Sequence, residues 1–184
     1  MEGSLEQVCA GLRERFPEHV SEPEELFGEV SLRVARDHIA EVCTHLRDEA
    51  SFELLADLSG VDFLGVAPSA ERFLIAYHLL SLSLNVRLRL RVFLAEGDET
   101  LPSVTGVYPT AEWQEREAYD FFGIVFEGHP DLRRILMPDD WEGHPHRKDY
   151  PLGGTKVEFK GAKVPPPDIR RQPTTTTGYP GRIA

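Results

Sequence analysis

Three histidines and a set of carboxylates fall close together in the last third of the chain. His129, His144 and His146 lie among Asp131, Asp139 and Asp140. These are metal-ligand residue types, and a metal-dependent hydrolase would need such a group. The spacing, however, matches no compact motif of the His-Glu-x-x-His kind, in which one helix face presents two imidazoles. His129 and His144 each stand in a Gly-His-Pro, at 128–130 and 143–145. A following proline pushes each histidine to extended backbone angles, where its ring can bond a carbonyl or cap a turn. Turn-stabilising or interface histidines are the simpler reading, and the hydrolase is the alternative from a different class.

Other chemistry is not signalled. The sequence has no G-x-G-x-x-G, Walker A, C-x-x-C or G-x-S-x-G motif. Its only cysteines, Cys9 and Cys43, fall on apolar helix faces. Two thiols alone do not meet the four ligands of an iron–sulfur cluster, and a cytosolic disulfide is not expected. The basic tract Arg133, Arg134, Arg147 and Lys148 is interleaved with Asp131, Asp139, Asp140 and Asp149, which favours ion pairing over phosphate binding.

Charge adds a directional clue. The chain carries 20 basic and 31 acidic residues, a formal net charge of −11, which argues against a nucleic-acid binder with a broad basic face. Residues 1–127 hold 10 basic and 24 acidic side chains, whereas 128–184 hold 10 and 7, and the first lysine is Lys148. An acidic body followed by a basic arm suits a segment lying on another surface. No apolar run is long enough to span a bilayer, and the N-terminus lacks a basic signal-peptide region. The expected location is cytosolic, with any membrane association indirect.

These residues must be positioned by the elements before them. Ser4 to Gln7 has the form of a capping box, and Leu5, Val8, Cys9, Leu12 and Phe16 follow at helical spacing until Pro17. A strand is expected over Glu18–Ser21, a turn at Glu22-Pro23-Glu24, and a clearer strand over Glu29–Ala35. Asp37 is placed to cap a helix buried through Ile39, Val42, Cys43, Leu46 and Ala50. Three strands follow: Phe52–Ser59; Arg72–Leu82, apolar on both faces and so central; and a third running through Val86, Leu88, Leu90, Val92 and Leu94. Arg87, Arg89 and Arg91 lie on that strand's opposite face, either gripping an acidic partner or paired with local carboxylates.

Thr110 is placed to cap a third helix, Ala111 to about Phe122, ended by Gly123. Within it, Glu112–Arg116 and Arg116–Asp120 are i,i+4 pairs. Asp120 opposes the dipole at the helix C-terminus, so it should answer a cation, with Arg133 or Arg134 as candidates. The order αββαβββα implies an α+β fold, a two-layer domain with a mixed sheet and helices on one side, followed by an extended C-terminal arm. The divisions are residues 1–123 as the globular domain, 124–155 as a segment packing on partners, and 156–184 as a Pro/Thr-rich tail.

The densest stretch is E-R-E-A-Y-D-F-F-G-I-V-F-E-G-H-P-D-L-R-R-I-L at 115–136, followed by D-W-E-G-H-P-H-R-K-D-Y-P-L at 140–152. It resembles the signature of the 30-kDa-type peripheral-arm family of respiratory complex I, the proton-pumping NADH:quinone oxidoreductase. His146 departs from the family, which usually has leucine there. The resemblance implies a cofactor-free peripheral-arm subunit on the cytoplasmic side of the membrane, packed against the quinone-cavity and terminal-cluster subunits. FMN, iron–sulfur clusters, NADH and quinone would belong to the complex. Related membrane-bound hydrogenases and complexes fed by ferredoxin or a deazaflavin carry similar subunits. The residues expected at the partner interface are Asp120, Phe122, His129, Asp131, Arg133, Arg134, Trp141, His144, Arg147, Lys148, Asp149 and Tyr150.

Overall fold

A computed structural model describes residues 2–66 and 71–151. The tail at 156–184 and the side chain of Ser4 in the expected capping box lie outside the described residues. Met1–Pro151 form one compact unit. Its elements are α1 (Glu2–Arg15), β1 (Glu24–Leu26), β2 (Glu29–Arg33), a 3-10 turn (Arg36–His38), α2 (Ile39–Asp48), β3 (Leu54–Asp62), β4 (Glu71–Ser81), β5 (Val86–Ala95), β6 (Thr100–Pro102), α3 (Ala111–Phe122) and β7 (Val125–Glu127).

Five strands form a mixed sheet in the order β1-β2-β5-β4-β3, with β2 and β5 parallel and the other pairs antiparallel. The α+β architecture expected from the hydrophobic patterning is therefore present. β5 is the middle strand, and β4, expected at the centre, lies inside the sheet one place away, between β5 and β3. The inward residues Phe73, Ile75, Tyr77 and Leu79 of β4 meet Leu88, Leu90, Val92 and Leu94 of β5 in one core. The buried stripe of α2 is Ile39, Val42, Cys43 and Leu46. Cys9 and Cys43 are both buried free thiols, and burial pushes each thiol's pKa up.

On the other face of the sheet, Arg89 pairs with Glu29 and Arg91 with Glu24, 2.6 Å apart in the second case. Arg33 pairs with Glu71 and lies over the Phe93 ring. Arg89 and Arg91 thus meet local carboxylates on β2 and β1.

Four local expectations are corrected. The first strand lies at Glu24–Leu26, beginning on the last residue of the expected Glu22-Pro23-Glu24 turn, and Glu18–Ser21, expected as a strand, contributes only the bridge Val20–Val34. The real turn is Phe27-Gly28, which lacks the Asn-Gly or Asp-Gly signal of a tight hairpin. Asp37 sits inside the 3-10 turn rather than at the α2 N-cap, which is His38 without a capping side-chain bond. Thr110 has helical angles and no cap bond; its hydroxyl instead donates to the Leu55 carbonyl. First-turn donors there are met by backbone carbonyls, as Ala111 N–H bonds Tyr108 O and Glu112 N–H bonds Pro109 O. Finally, β6 and β7 form an unexpected two-stranded parallel pair on either side of α3. Strands of three residues are too short to show a period of two.

α3 packs on β3 through a close approach at Gly60. A Cβ built there would lie 2.7 Å from the Phe122 ring. Gly60→Ala should therefore cost about 1–3 kcal/mol by forcing the ring aside. Equilibrium urea unfolding measures this, and an unchanged midpoint would show that the helix gives way freely.

Candidate functional site

The segment after α3 has little regular secondary structure, yet its backbone is held by side chains of the domain. Its first anchor is Asp120, fully buried in the last turn of α3. One carboxylate oxygen, Oδ2, accepts the backbone N–H groups of Ile135, Leu136 and Met137 at 3.0, 2.8 and 2.8 Å. The other, Oδ1, accepts Arg134 Nη1 at 2.7 Å. Burial alone would push this carboxyl up, but the donors of Met137, Arg134, Leu136 and Ile135 outweigh it and hold the pKa below its ordinary value. The carboxylate that opposes the helix dipole is thus compensated by four donors, and the expected cation is Arg134.

Arg134 in turn reaches the Trp141 and Gly143 carbonyls at 3.0 and 2.9 Å. It is 15% exposed, whereas Arg133 is 68% exposed and pairs with Asp131. Adjacent arginines that look equivalent in sequence therefore face opposite ways. Arg116 does not use its expected i,i+4 partners. It donates instead to the Arg133 and Arg134 carbonyls and lies over Trp113.

Gly123 ends α3 in the left-handed region, at φ 75°. A Cβ there would also lie 2.6 Å from the His144 ring, so the position needs glycine both for the turn and for the approach. His144 Nδ1 donates to the Asp120 carbonyl at 3.0 Å. His129 uses both nitrogens: Nε2 donates to the Glu112 carbonyl and Nδ1 accepts the Asp131 N–H. His146 stacks on Phe121 at 4.0 Å and meets Phe122 edge-on. The three rings thus go to carbonyls and aromatic faces. Among the described residues no three His, Cys, Asp or Glu side chains come together as metal ligands. Nor do the two buried cysteines fit a cluster that wants four thiolates.

The second anchor joins the end of the segment to the sheet. Asp62, at the end of β3, takes Arg72 of β4 in a two-pronged pair at 3.1 and 2.9 Å. Asp62 also accepts the Lys148 N–H at 2.8 Å and the Leu64 N–H at 2.9 Å. Arg72 bonds Asp149 at 2.7 Å and Glu96 at 2.6 Å. Here too burial works upward on the Asp62 pKa and is outweighed by Arg72, Lys148 and Leu64. Arg147 donates to the Phe122 carbonyl at 2.6 Å, faces Glu99 and covers the Phe73 ring. Tyr150 closes the end, its hydroxyl donating to the Glu142 carbonyl.

Sequence reasoning placed Asp120, Arg134, His144, Arg147 and Asp149 in this segment, and the structure joins them through two anchors. It missed Asp62 and Arg72, whose one signal is charge at the ends of two apolar strands. It also missed the role of Glu115. That carboxyl is buried, accepting Ser103 Oγ and the Val104 N–H at 2.7 Å each. Burial raises its pKa from 4.5 to about 7 despite those two donors.

Two expectations follow from these groups. Asp120→Asn should cost about 3–5 kcal/mol, because it leaves Arg134 short of its counter-charge and one or more donors unmet. Urea unfolding together with limited proteolysis across 128–143 tests this, and unchanged resistance would refute the anchor. Glu115, with its raised pKa, binds its proton more tightly in the folded than in the unfolded chain. Stability is therefore greatest below about pH 4.5 as far as this group is concerned, and falls by a few kcal/mol as pH rises to about 7. Glu115→Gln should flatten the slope of unfolding free energy across that window.

Comparison with known proteins fits this geometry. Residues 32–156 match the family model described as respiratory-chain NADH dehydrogenase, 30 kDa subunit. An NADH-quinone oxidoreductase subunit of Salinispora arenicola is 53% identical over 92% of this chain and 70% of its own length. The same subunit of Saccharopolyspora erythraea is 57% identical over 78% of this chain and 58% of its own. Among solved structures, a trypsin-resistant fragment of Nqo5 is 37% identical with a TM-score of 0.62, covering 70% of this chain and 99% of that one. A chain of the membrane-bound sulfane sulfur reductase, an archaeal respiratory membrane complex, is 26% identical with a TM-score of 0.67, covering 89% of this chain and 100% of that one. With its signature segment anchored on a mixed five-stranded sheet, the chain belongs to the 30 kDa subunit family of the respiratory-chain NADH dehydrogenase.

Proposed function

We propose that the chain is a cofactor-free structural subunit in the peripheral arm of an NADH:quinone oxidoreductase. The observation that carries this reading is its high identity with a subunit of NADH-quinone oxidoreductase over nearly its whole length. In the assembly, electrons pass from NADH through FMN and iron–sulfur clusters to quinone, coupled to proton translocation. This chain holds the quinone-site and cluster-bearing subunits in register on the cytoplasmic side of the membrane. Among the described residues, no helix is long and apolar enough to cross a membrane, in keeping with a peripheral position.

The geometry divides the proposed interface into two sets. Asp120, Phe122, Arg134, His144 and Arg147 face inward and fix the shape of the segment. Asp131, Arg133, Lys148 and Asp149 are exposed and carry the direct contacts. His129, Trp141 and Tyr150 are half-buried and bridge the two sets. A rigid interface suits the task, because electron transfer between neighbouring subunits depends on fixed distances.

The likeness to a chain of the sulfane sulfur reductase, an archaeal respiratory membrane complex, favours a second reading, the equivalent subunit of a related membrane-bound hydrogenase or of a complex fed by ferredoxin or a deazaflavin. Its lower identity ranks it behind the first.

Affinity purification of the tagged chain from detergent-extracted host membranes tests both. Near-equal iron–sulfur and membrane subunits with NADH-dependent quinone reduction are expected. The same subunits without NADH activity would select the second reading, and a chain recovered alone would overturn both. Arg133→Glu should reduce recovery of partners several-fold while leaving the unfolding midpoint unchanged, whereas Arg134→Glu should lower that midpoint.

A further inference from the structure

The β1–β2 hairpin turns on two residues, Phe27 and Gly28, at φ 54° and 78°. Positive φ at both central positions matches the twist of the flanking strands, and Asn, Asp and Gly take it with least strain. In the turn between β4 and β5 the chain follows that preference, with Asn85 at φ 53°. At position 27 it places a phenylalanine instead. The side chain is 97% exposed, next to Leu26 at 64%. The ring thus sits on unfavourable backbone and leaves its apolar surface in water, and at that exposure no contact within the described residues offsets either cost.

From this we infer that Phe27 and Leu26 form an anchor that enters an apolar pocket on another subunit of the same oxidoreductase complex. The inference rests on the function proposed above. Area and charge select the occupant. An aromatic ring buries roughly 150–250 Å², far below the roughly 1,000 Å² of a self-sufficient interface. The tip therefore suits a partner already held to this chain at other surfaces, as in a multi-subunit assembly. A second copy of the chain is disfavoured, because each copy carries a formal net charge of −11 and would repel its like.

The surroundings define the pocket further. Glu24 and Glu29, beside the tip, are neutralised by Arg91 and Arg89. Glu25 is exposed at the rim of a groove of about 400 Å³ between the hairpin and α1, which also includes Leu5, Cys9, Ala10 and Val30. The matching surface is an apolar pocket for the ring with a basic group facing Glu25.

Strain and docking make opposite demands on position 27, and this gives the test. Phe27→Asn supplies the residue that the turn prefers and removes the ring; Phe27→Tyr keeps the ring. The full-length Asn variant should unfold about 2–4 °C higher than wild type. Co-expressed in the host with a differently tagged wild-type chain, it should enter the purified complex about tenfold less often, relative to its abundance in the lysate. The Tyr variant should compete as wild type does. Equal incorporation of the Asn variant would overturn the anchor while leaving the proposed function intact. A lower unfolding temperature would also overturn it, by showing that Phe27 serves the chain's own fold. Wild-type chain recovered with no other subunit would overturn the anchor and the proposed function together.

Discussion

A backbone that leaves helix and sheet must still satisfy its N–H and C=O groups, and after α3 three N–H groups in a row are met by one carboxylate. Asp120 takes three consecutive N–H groups on a single oxygen and an arginine on the other. Its own carbonyl accepts that arginine and His144. The side chain is buried, and its charge is tolerated only because every donor points at it. Without this arrangement residues 128–143 would be an ordinary loop. With it, an irregular stretch is held to a defined shape.

The second anchor, Asp62 with Arg72, extends the same logic to the sheet. Both are pairs of buried or half-buried charges, which are expensive to form and more expensive to break on one side only. The net stabilisation from each is therefore small compared with the specificity it confers. Apolar packing would hold the segment as strongly, but it would not fix which backbone atom lies where. A subunit whose task is to keep others in register has use for the second property. Arg147 links the two anchors, reaching the α3 C-terminus and the Phe73 ring of β4 together.

The main elements were legible because their periods are strong. α2, α3 and the last two long strands are where their apolar spacing puts them, and Asp120 was flagged by its conflict with the helix dipole. What was hidden depends on tertiary partners. β6 and β7 exist only as a pair, Thr110 gave up its cap for a carbonyl of β3, and the hairpin turn carries a residue that turn statistics disfavour. Arg133 and Arg134 are identical in residue type and opposite in fate, since only the path of the backbone decides which of them meets Asp120. The histidines read as chemistry when only residue types are considered. In space His129 bonds a carbonyl and an N–H, His144 bonds a carbonyl through Nδ1, and His146 lies against two aromatic rings.

The Asp62–Lys148 bond spans 86 residues, and that separation has a temporal meaning. On the ribosome, Asp62 and Arg72 emerge and can pair at the end of their strands long before Lys148 and Asp149 have been made. The sheet is thus completed first, with a charged receptor waiting at its edge, and the signature segment is the last part of the compact unit to arrive. Until it docks, its aromatic and basic side chains stay open to other proteins. Synthesis itself thereby creates an interval in which this chain is most exposed to wrong partners.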